Sequence, residues 1–356
     1  MSVSQLSLFD FRNYEKRSFD FSENLVVLFG PNGRGKTNVL EALSVLSVGK
    51  SWRETQSIDL IREGCESALI KAKTQDQNLY TVKIQPSSRI FEINEKKMPL
   101  HRYFGKIPTL LFVPEHLQLF SDPKRSRQRF FDRFLIQIEP SYRDTLIHFD
   151  KAVRHKNALL RNFDLSLFSK KHLEDQIVPW NEVLVETIPE IIRVRTSFLD
   201  RLSPLLEHEL SALSGNIVPL RMELAIAESY VPTRNGVRYF FDEYIGREIA
   251  ARKCLIGAHR DDFSFFFREK PLLSTASRGE TRSILLALLS AQKSILESSL
   301  GTLPILLLDD VFSELDQTRQ NYLHQLCHGS QAFFTTTHEI HFEHFEEKVE
   351  KFEILT

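Results

Sequence analysis

Gly30-Pro31-Asn32-Gly33-Arg34-Gly35-Lys36-Thr37 is the stretch on which the reading of this chain turns. Two glycines five apart, followed by Lys and Thr, make the phosphate-loop pattern of nucleotide-binding proteins. Leu25-Val26-Val27-Leu28-Phe29 before it is an apolar run suited to a buried strand. After it, Asn38–Leu46 reads as a helix with Leu40, Leu43 and Leu46 on one face. Strand, glycine loop and helix in that order let main-chain N–H groups converge on phosphate oxygens. Gly30 through Asn38 are therefore candidate nucleotide contacts. Lys36 is expected to reach the β- and γ-phosphates, and the Thr37 hydroxyl to ligate Mg²⁺.

Composition narrows the classes. The chain has 356 residues, enough for one large domain or two to three smaller ones, and is 42% hydrophobic and 26% charged. A net charge of −1 argues against a wholly basic nucleic-acid binder, so any DNA contact must come from a local patch. Cys65, Cys254 and Cys327 are far apart, which excludes a disulfide framework and suits a reducing compartment. No apolar run approaches the ~20 residues of a membrane span, and no secretory signal follows Met1, so the cytoplasm is the expected location.

Outward from the loop, Leu6 and Leu8 alternate with Gln5 and Ser7, and Phe19 and Phe21 continue the pattern beyond Phe9–Tyr14. This predicts an antiparallel hairpin leading into the loop strand. Arg12 in the hairpin is either a solvated charge or a nucleotide contact. Strand-like pieces at 67–71, 80–84 and 90–93 predict an antiparallel sheet, and 109–113 another buried strand. From Lys124 to Arg161 bases outnumber acids on a helical pattern carrying Phe130, Phe131, Phe134, Leu135 and Ile138. Lys124, Arg125, Arg127 and Arg129 there are candidate DNA-phosphate contacts, the alternative being a solvated helix face. Helical periodicity continues over Trp180–Leu213, then a strand over 218–226 and a helix over 239–252. The last hundred residues return to α/β alternation.

Ile305-Leu306-Leu307-Leu308-Asp309-Asp310 is an apolar strand ending in acid, the second half of a phosphate-loop NTPase. Asp309 is expected to hold Mg²⁺, and Asp310 to polarise the attacking water, so Asp310 and Lys36 are the catalytic candidates. The halves lie roughly 280 positions apart, more than a domain places between neighbouring strands. The nucleotide core must then be built from both ends of the chain. Ser277 and Gly279 open the helix Arg278–Leu296, a helix N-terminus fit either for an anion or for a plain serine cap. A second phosphate site that cannot duplicate the first points to a neighbouring molecule's nucleotide.

Phosphate loop, serine–glycine turn, acid-terminated strand and Ser313-Glu314-Leu315-Asp316, in that order, resemble the ABC-type ATPase head. Within that class the chain resembles the RecF family of bacterial recombination mediators, related to SMC heads. The matching stretches are Phe11-Arg12-Asn13-Tyr14, Gly30–Glu41, Pro114-Glu115, Gly257-Ala258-His259-Arg260-Asp261-Asp262, Ser277-x-Gly279 and Leu306–Asp316. The resemblance implies an α/β ABC-type head from residues 1–122 and 251–356, with a mainly helical lobe, 123–250, inserted. It also implies ATP and Mg²⁺ as cofactors and an ATP-dependent head-to-tail homodimer. Each ATP would lie between one phosphate loop and the other copy's Ser277 and Gly279, with 313–316 lining the interface. DNA at single-strand gaps, RecR and RecO would be the partners, in replication, recombinational repair and the SOS response.

The sequence departs from the family in places. Glu280-Thr281 stand where the family continues its signature with Gln, which puts a negative charge near the partner's γ-phosphate. Ala258 replaces a proline. His338 is either a sensor histidine or a satisfied strand-end residue. Most ABC-type heads carry Glu where this chain has Asp310, one methylene shorter, which predicts slow, DNA-dependent hydrolysis suited to a switch. Two rival readings are the ATP subunit of a membrane transporter, disfavoured by the long basic-then-helical middle, and a non-hydrolysing ATP-gated scaffold.

Overall fold

The alternation at the amino terminus becomes a sheet in the computed structural model, which describes residues 2–53, 56–121, 124–163, 169–216, 218–228, 230–337 and 348–355. Strands β1 (Val3–Phe11) and β2 (Tyr14–Asp20) form the expected hairpin, and β3 (Leu25–Phe29) leads into the phosphate loop and α1 (Lys36–Val48). Then come β4 (Ala68–Thr74), β5 (Leu79–Ile84), β6 (Arg89–Ile93) and the two-residue β7 (Lys96–Lys97), in the antiparallel order β2-β1-β4-β5-β6-β7. Register aligns the apolar residues in rows: Leu6 opposite Ala72 opposite Tyr80, and Leu8 opposite Ile70 opposite Val82. All six are buried, so a one-residue slip of any strand would expose its whole apolar set. A short helix α2 (Leu100–Tyr103) and strand β8 (Thr109–Phe112) follow.

The middle of the chain is mainly helical. It holds α3 (Lys124–Ile138), α4 (Pro140–Asn162), the 45-residue α5 (Lys170–Ser214), β9 (Leu220–Ala225), α6 (Arg234–Ala251), β10 (Asp262–Phe267), β11 (Lys270–Pro271) and α7 (Leu272–Thr275). The last part holds α8 (Arg278–Leu300), β12 (Ile305–Asp309), α9 (Gln317–Cys327), β13 (Ala332–Thr336) and β14 (Val349–Glu353). Here the chain closes a five-stranded parallel sheet in the order β14-β3-β13-β12-β8. Both halves of the predicted site therefore sit in one sheet. Only β13 separates the loop strand β3 from the acid-terminated β12. The core positions of β3, β12 and β13 are buried, as both faces of a parallel sheet require. Burying Ile305, Leu306, Leu307 and Leu308 contributes on the order of 1.5–3 kcal/mol each, before ordering costs.

The chain divides into two compact units. One comprises residues 1–119, 205–218 and 276–356, and contains both large sheets. The other comprises 120–204 and 219–275. The expected boundary at residue 250 falls inside the second unit, because β10 pairs antiparallel with β9 along its whole length, Phe263 opposite Leu224 and Phe265 opposite Met222. Residues 205–218 belong to the first unit, where Glu209 on α5 accepts from Ser290 and from Tyr322. In the second unit Phe131 packs at 4.4 Å on Phe263 and also meets Phe198 and Phe265. The Lys156–Glu248 ion pair, 2.6 Å apart, is fully buried there, with the Lys156 ammonium over the Phe241 ring.

Candidate nucleotide-binding site

Residues at the carboxyl ends of the parallel strands build the site. Leu28, Thr335 and Asp309 stand level across β3, β13 and β12. Crevices at such strand ends are where open α/β sheets bind ligands. Thr37, at the start of α1, donates its hydroxyl to both Asp309 oxygens at 2.9 and 3.2 Å, across 272 positions of sequence. The Thr335 hydroxyl donates to Asp309 as well. The sequence marks Thr335 only as part of a strand; its one signal for the site is a hydroxyl next to the end of that apolar strand.

The loop itself is shaped by glycine. Gly30, Gly33 and Gly35 have φ of 137°, 78° and 106°, values that side chains rarely adopt. Lys36 is nearly buried, and its ammonium donates to the carbonyls of Gly30 and Pro31 at 2.6 and 2.8 Å. Burial lowers its pKa, and the charges of Asp309 and Asp310 partly oppose this. A desolvated cation held by two loop carbonyls is placed to exchange them for phosphate oxygens. Asp310 is held in the left-handed region at φ 47°, with its N–H donating to the Thr335 carbonyl and hydroxyl.

A strap from the hairpin holds the loop from outside. Asn13 donates to the Arg34 carbonyl at 3.0 Å, and the Tyr14 hydroxyl to the Gly35 carbonyl at 3.1 Å. Asn38 donates to Asn13 and accepts from Arg53. Burial raises the Tyr14 phenol to about 12, so it remains a donor at neutral pH. Arg12, read either as solvated or as nucleotide-facing, has a third engagement. Its guanidinium forks onto the fully buried Glu41 of α1 at 2.9 and 2.6 Å and also binds the Asp59 carbonyl. It still borders an open cleft of about 670 Å³ that Asn13, Asn38 and Arg53 also line. The clamp was hidden because Glu41 lies inside an apolar helix stretch, where nothing local marks a partner.

The serine–glycine turn takes the form of a capping box. Ser277 accepts from the Glu280 N–H at 3.2 Å, and Glu280 accepts from the Ser277 N–H at 2.8 Å. The Glu280 carboxylate is thus folded back on its own helix end, a geometry that the expectation of a charge aimed at a partner's phosphate did not include. The Ser277 O–H proton stays available to donate. Asp316 caps α9 by accepting from the Arg319 N–H at 3.0 Å. His338 lies outside the described residues.

The basic stretch splits by helical period. Arg127 lies one turn before the buried Phe131, so it turns inward, binding both oxygens of Asp262 at 2.9 and 2.7 Å. Lys124 donates to the Arg260 carbonyl. Both are engaged within their own unit, Arg127 half-buried and Lys124 exposed; Arg125 and Arg129, four apart, are exposed as well. The same unit buries Arg195, bonded to Asp132, Tyr142 and the Ala258 carbonyl.

Comparison with known proteins gives this geometry a lineage. The RecF/RecN/SMC N-terminal domain model matches residues 2–353. The DNA replication and repair protein RecF of Thermosynechococcus vestitus is 34% identical over 352 residues, covering 95% of this chain and 91% of that one. The chain belongs to the RecF family. RecF of Halalkalibacterium halodurans is 31% identical over 348 residues, covering 95% and 93%. The structure of the recombination mediator protein RecF-ATP in the RecFOR pathway superposes with a TM-score of 0.85 at 24% identity, covering 98% and 95%. The fold is accordingly that of an α/β ABC-type ATPase head with a helical insertion.

The residues present fit ATP and magnesium. Loop amides and Lys36 suit the phosphates, and a hydroxyl beside a carboxylate offers the hard oxygens that Mg²⁺ takes while keeping water and phosphate ligands. Among the described residues no group of three or more His, Cys, Asp or Glu could hold a metal ion. Among them, too, no helix is long and apolar enough to cross a membrane.

Proposed function

We propose that this protein is an ATP-switched mediator of recombinational DNA repair. ATP joins two copies head to tail around DNA, and slow hydrolysis releases them. The observation that carries the reading is the Thr37–Asp309 hydrogen bond, which gathers a hydroxyl, a carboxylate and the glycine-loop amides at one point. That donor set suits a magnesium-bound triphosphate. Magnesium, when bound, supplies neutralisation of the β- and γ-phosphate charge. Lys36 offers its ammonium to the same oxygens, Asp309 keeps the Thr37 hydroxyl oriented, and Asp310 orients water. Ser277 and Gly279 face the partner copy's nucleotide, with Ser277 donating its free proton.

We assign the unit containing both large sheets to the ATPase head and the other to the inserted lobe. Arg125 and Arg129 are the cations we assign to DNA phosphates, with Lys124 and Arg127 holding the helix that presents them. Relatives bear the name DNA replication and repair protein, and a structural neighbour is described within the RecFOR pathway. From these names we take action with RecR and RecO in replication and repair; the cytoplasmic location and the place in the SOS response follow only from the family resemblance. Sizing and DNA binding with and without ATP test the reading on wild type, Lys36→Ala and Ser277→Arg. Wild type dimerises and binds DNA more tightly with ATP, Lys36→Ala loses both, and Ser277→Arg binds ATP yet stays monomeric. A wild type that remains monomeric with ATP and binds DNA no better refutes it.

A further inference from the structure

One side chain ties together the Ser277–Gly279 turn, assigned above to the partner's nucleotide, and the 313–316 segment expected to line the interface. Arg319 lies in the first turn of α9, three residues after Asp316. Its Nη2 donates to the Gly279 carbonyl at 2.8 Å, and its Nε to the Ser283 hydroxyl at 3.1 Å. Its Nη1 pairs with the Asp316 carboxylate. All three nitrogens are therefore engaged, two with the start of α8 and one with the end of the 313–316 segment. The Arg319 side chain is 20% exposed, so its bonds to Gly279 and Ser283 are partly shielded from water, whereas its Asp316 partner is 56% exposed. Gly279 leaves room for the contact, since a Cβ there would stand 3.2 Å from Nη2.

A guanidinium is a planar fork whose donors have fixed relative directions, so it braces the groups it joins as well as attracting them. Asp316 caps α9 through its other oxygen without help from the guanidinium. The bond to Arg319 is thus not needed to start α9; what it adds is a fixed relation between that helix start and the serine–glycine turn. Lys36, Thr37 and Asp309 make none of these contacts.

We propose that Arg319 is a positioning residue that makes the Ser277–Gly279 turn and the Asp316 segment one rigid body, so that both meet the partner's ATP together. The proposal rests on the two-copy reading above. It predicts that losing Arg319 weakens association of ATP-bound protomers while each protomer still holds its own ATP.

The test uses the full chain as wild type, Arg319→Ala and Arg319→Lys. A fluorescent ATP analogue reports binding to dilute monomer, sedimentation with ATP and magnesium reports association, and ATPase rates are followed against protein concentration. Arg319→Ala should bind the analogue within about twofold of wild type, with association weakened about ten- to a hundredfold, the range of site-to-site coupling. Its ATPase rate per chain should recover at high protein concentration. Arg319→Lys, keeping charge and stem but one nitrogen in place of three, should fall between. A general loss of structure would lower analogue binding and association alike, and that result overturns the proposal, as does wild-type association by Arg319→Ala. Should Arg319→Ala not fold, Arg319→Lys decides, and wild-type association by it overturns the proposal. If wild type itself stays monomeric with ATP, the two-copy reading fails and this one with it, an outcome visible before any variant is compared.

Discussion

Gly30→Ala tests whether the shape of the phosphate loop is set by the far end of the chain. Gly30 has φ 137°, and a Cβ there would stand 2.5 Å from the Ile354 carbonyl oxygen. That oxygen belongs to main chain, fixed by the Ile354 N–H donating to the Phe29 carbonyl at 2.8 Å, so it cannot swing aside as a side chain does. The backbone conformation alone costs about 1–3 kcal/mol for a residue with a Cβ. Pushing packed main chain away adds about 1–3 kcal/mol. Gly33 is the internal control: φ 78°, with nothing within 4 Å of a Cβ. Alanine there should cost only the left-handed penalty, about 1–2 kcal/mol. Gly35 falls between, since its Cβ would meet Asn13 and Tyr14 side chains at 2.7–2.9 Å. Those can rotate, each giving up a hydrogen bond to the loop worth about 1 kcal/mol. Urea unfolding of the three variants, compared at constant m, should rank Gly33→Ala least and Gly30→Ala most destabilised. Affinity for an ATP analogue should follow the same order. A Gly30→Ala protein as stable as Gly33→Ala would refute the role given to Ile354.

Other changes separate chemistry from scaffolding. Asp310→Asn should lower ATP turnover about 100-fold with nucleotide binding and ATP-dependent association retained; unchanged turnover in a steady-state assay contradicts the role of Asp310, and unchanged DNA-repair function would favour the scaffold reading. Arg125→Ala and Arg129→Ala should each weaken DNA binding and reduce its salt slope by about 1, without altering stability. Arg127→Ala should instead destabilise the fold by about 2–4 kcal/mol, because it strands Asp262 in a half-buried pair; calorimetry beside a salt titration distinguishes the two classes. Asp261 is fully buried, with one oxygen accepting the Ala227 N–H, and burial raises its pKa from 3.8 to about 6. The folded state therefore prefers the protonated acid, so this group's contribution to stability falls as pH rises from about 4 to about 6 and stays low above. Asp261→Asn should raise stability at pH 8 by up to about 3 kcal/mol, and by little at pH 3.5, measured by urea unfolding at both.

Much of this was legible along the chain because the determinants are local. A glycine loop between an apolar strand and a helix needs only its own residues to present N–H groups, and the alternation of Leu6, Leu8, Tyr80 and Val82 follows from the two-residue period of a strand. An apolar run ending in acids named β12 and Asp309 on the same ground. The helical period could also have separated Arg127 from Arg125 and Arg129, since Arg127 lies one turn from Phe131.

What tertiary structure alone decided are pairings between residues distant in sequence. The order β14-β3-β13-β12-β8 sets Asp309 level with Leu28 and within reach of Thr37, and no periodicity encodes which strands adjoin. Arg12 meets Glu41, Ile354 closes on Gly30, and Arg319 reaches Gly279, each through side-chain or main-chain donors whose partner depends on the whole packing. The candidates for charge chemistry could be named from sequence. Which of them were already engaged within the fold, and which were left for a ligand, depended on hydrogen bonds that form only after the chain has folded.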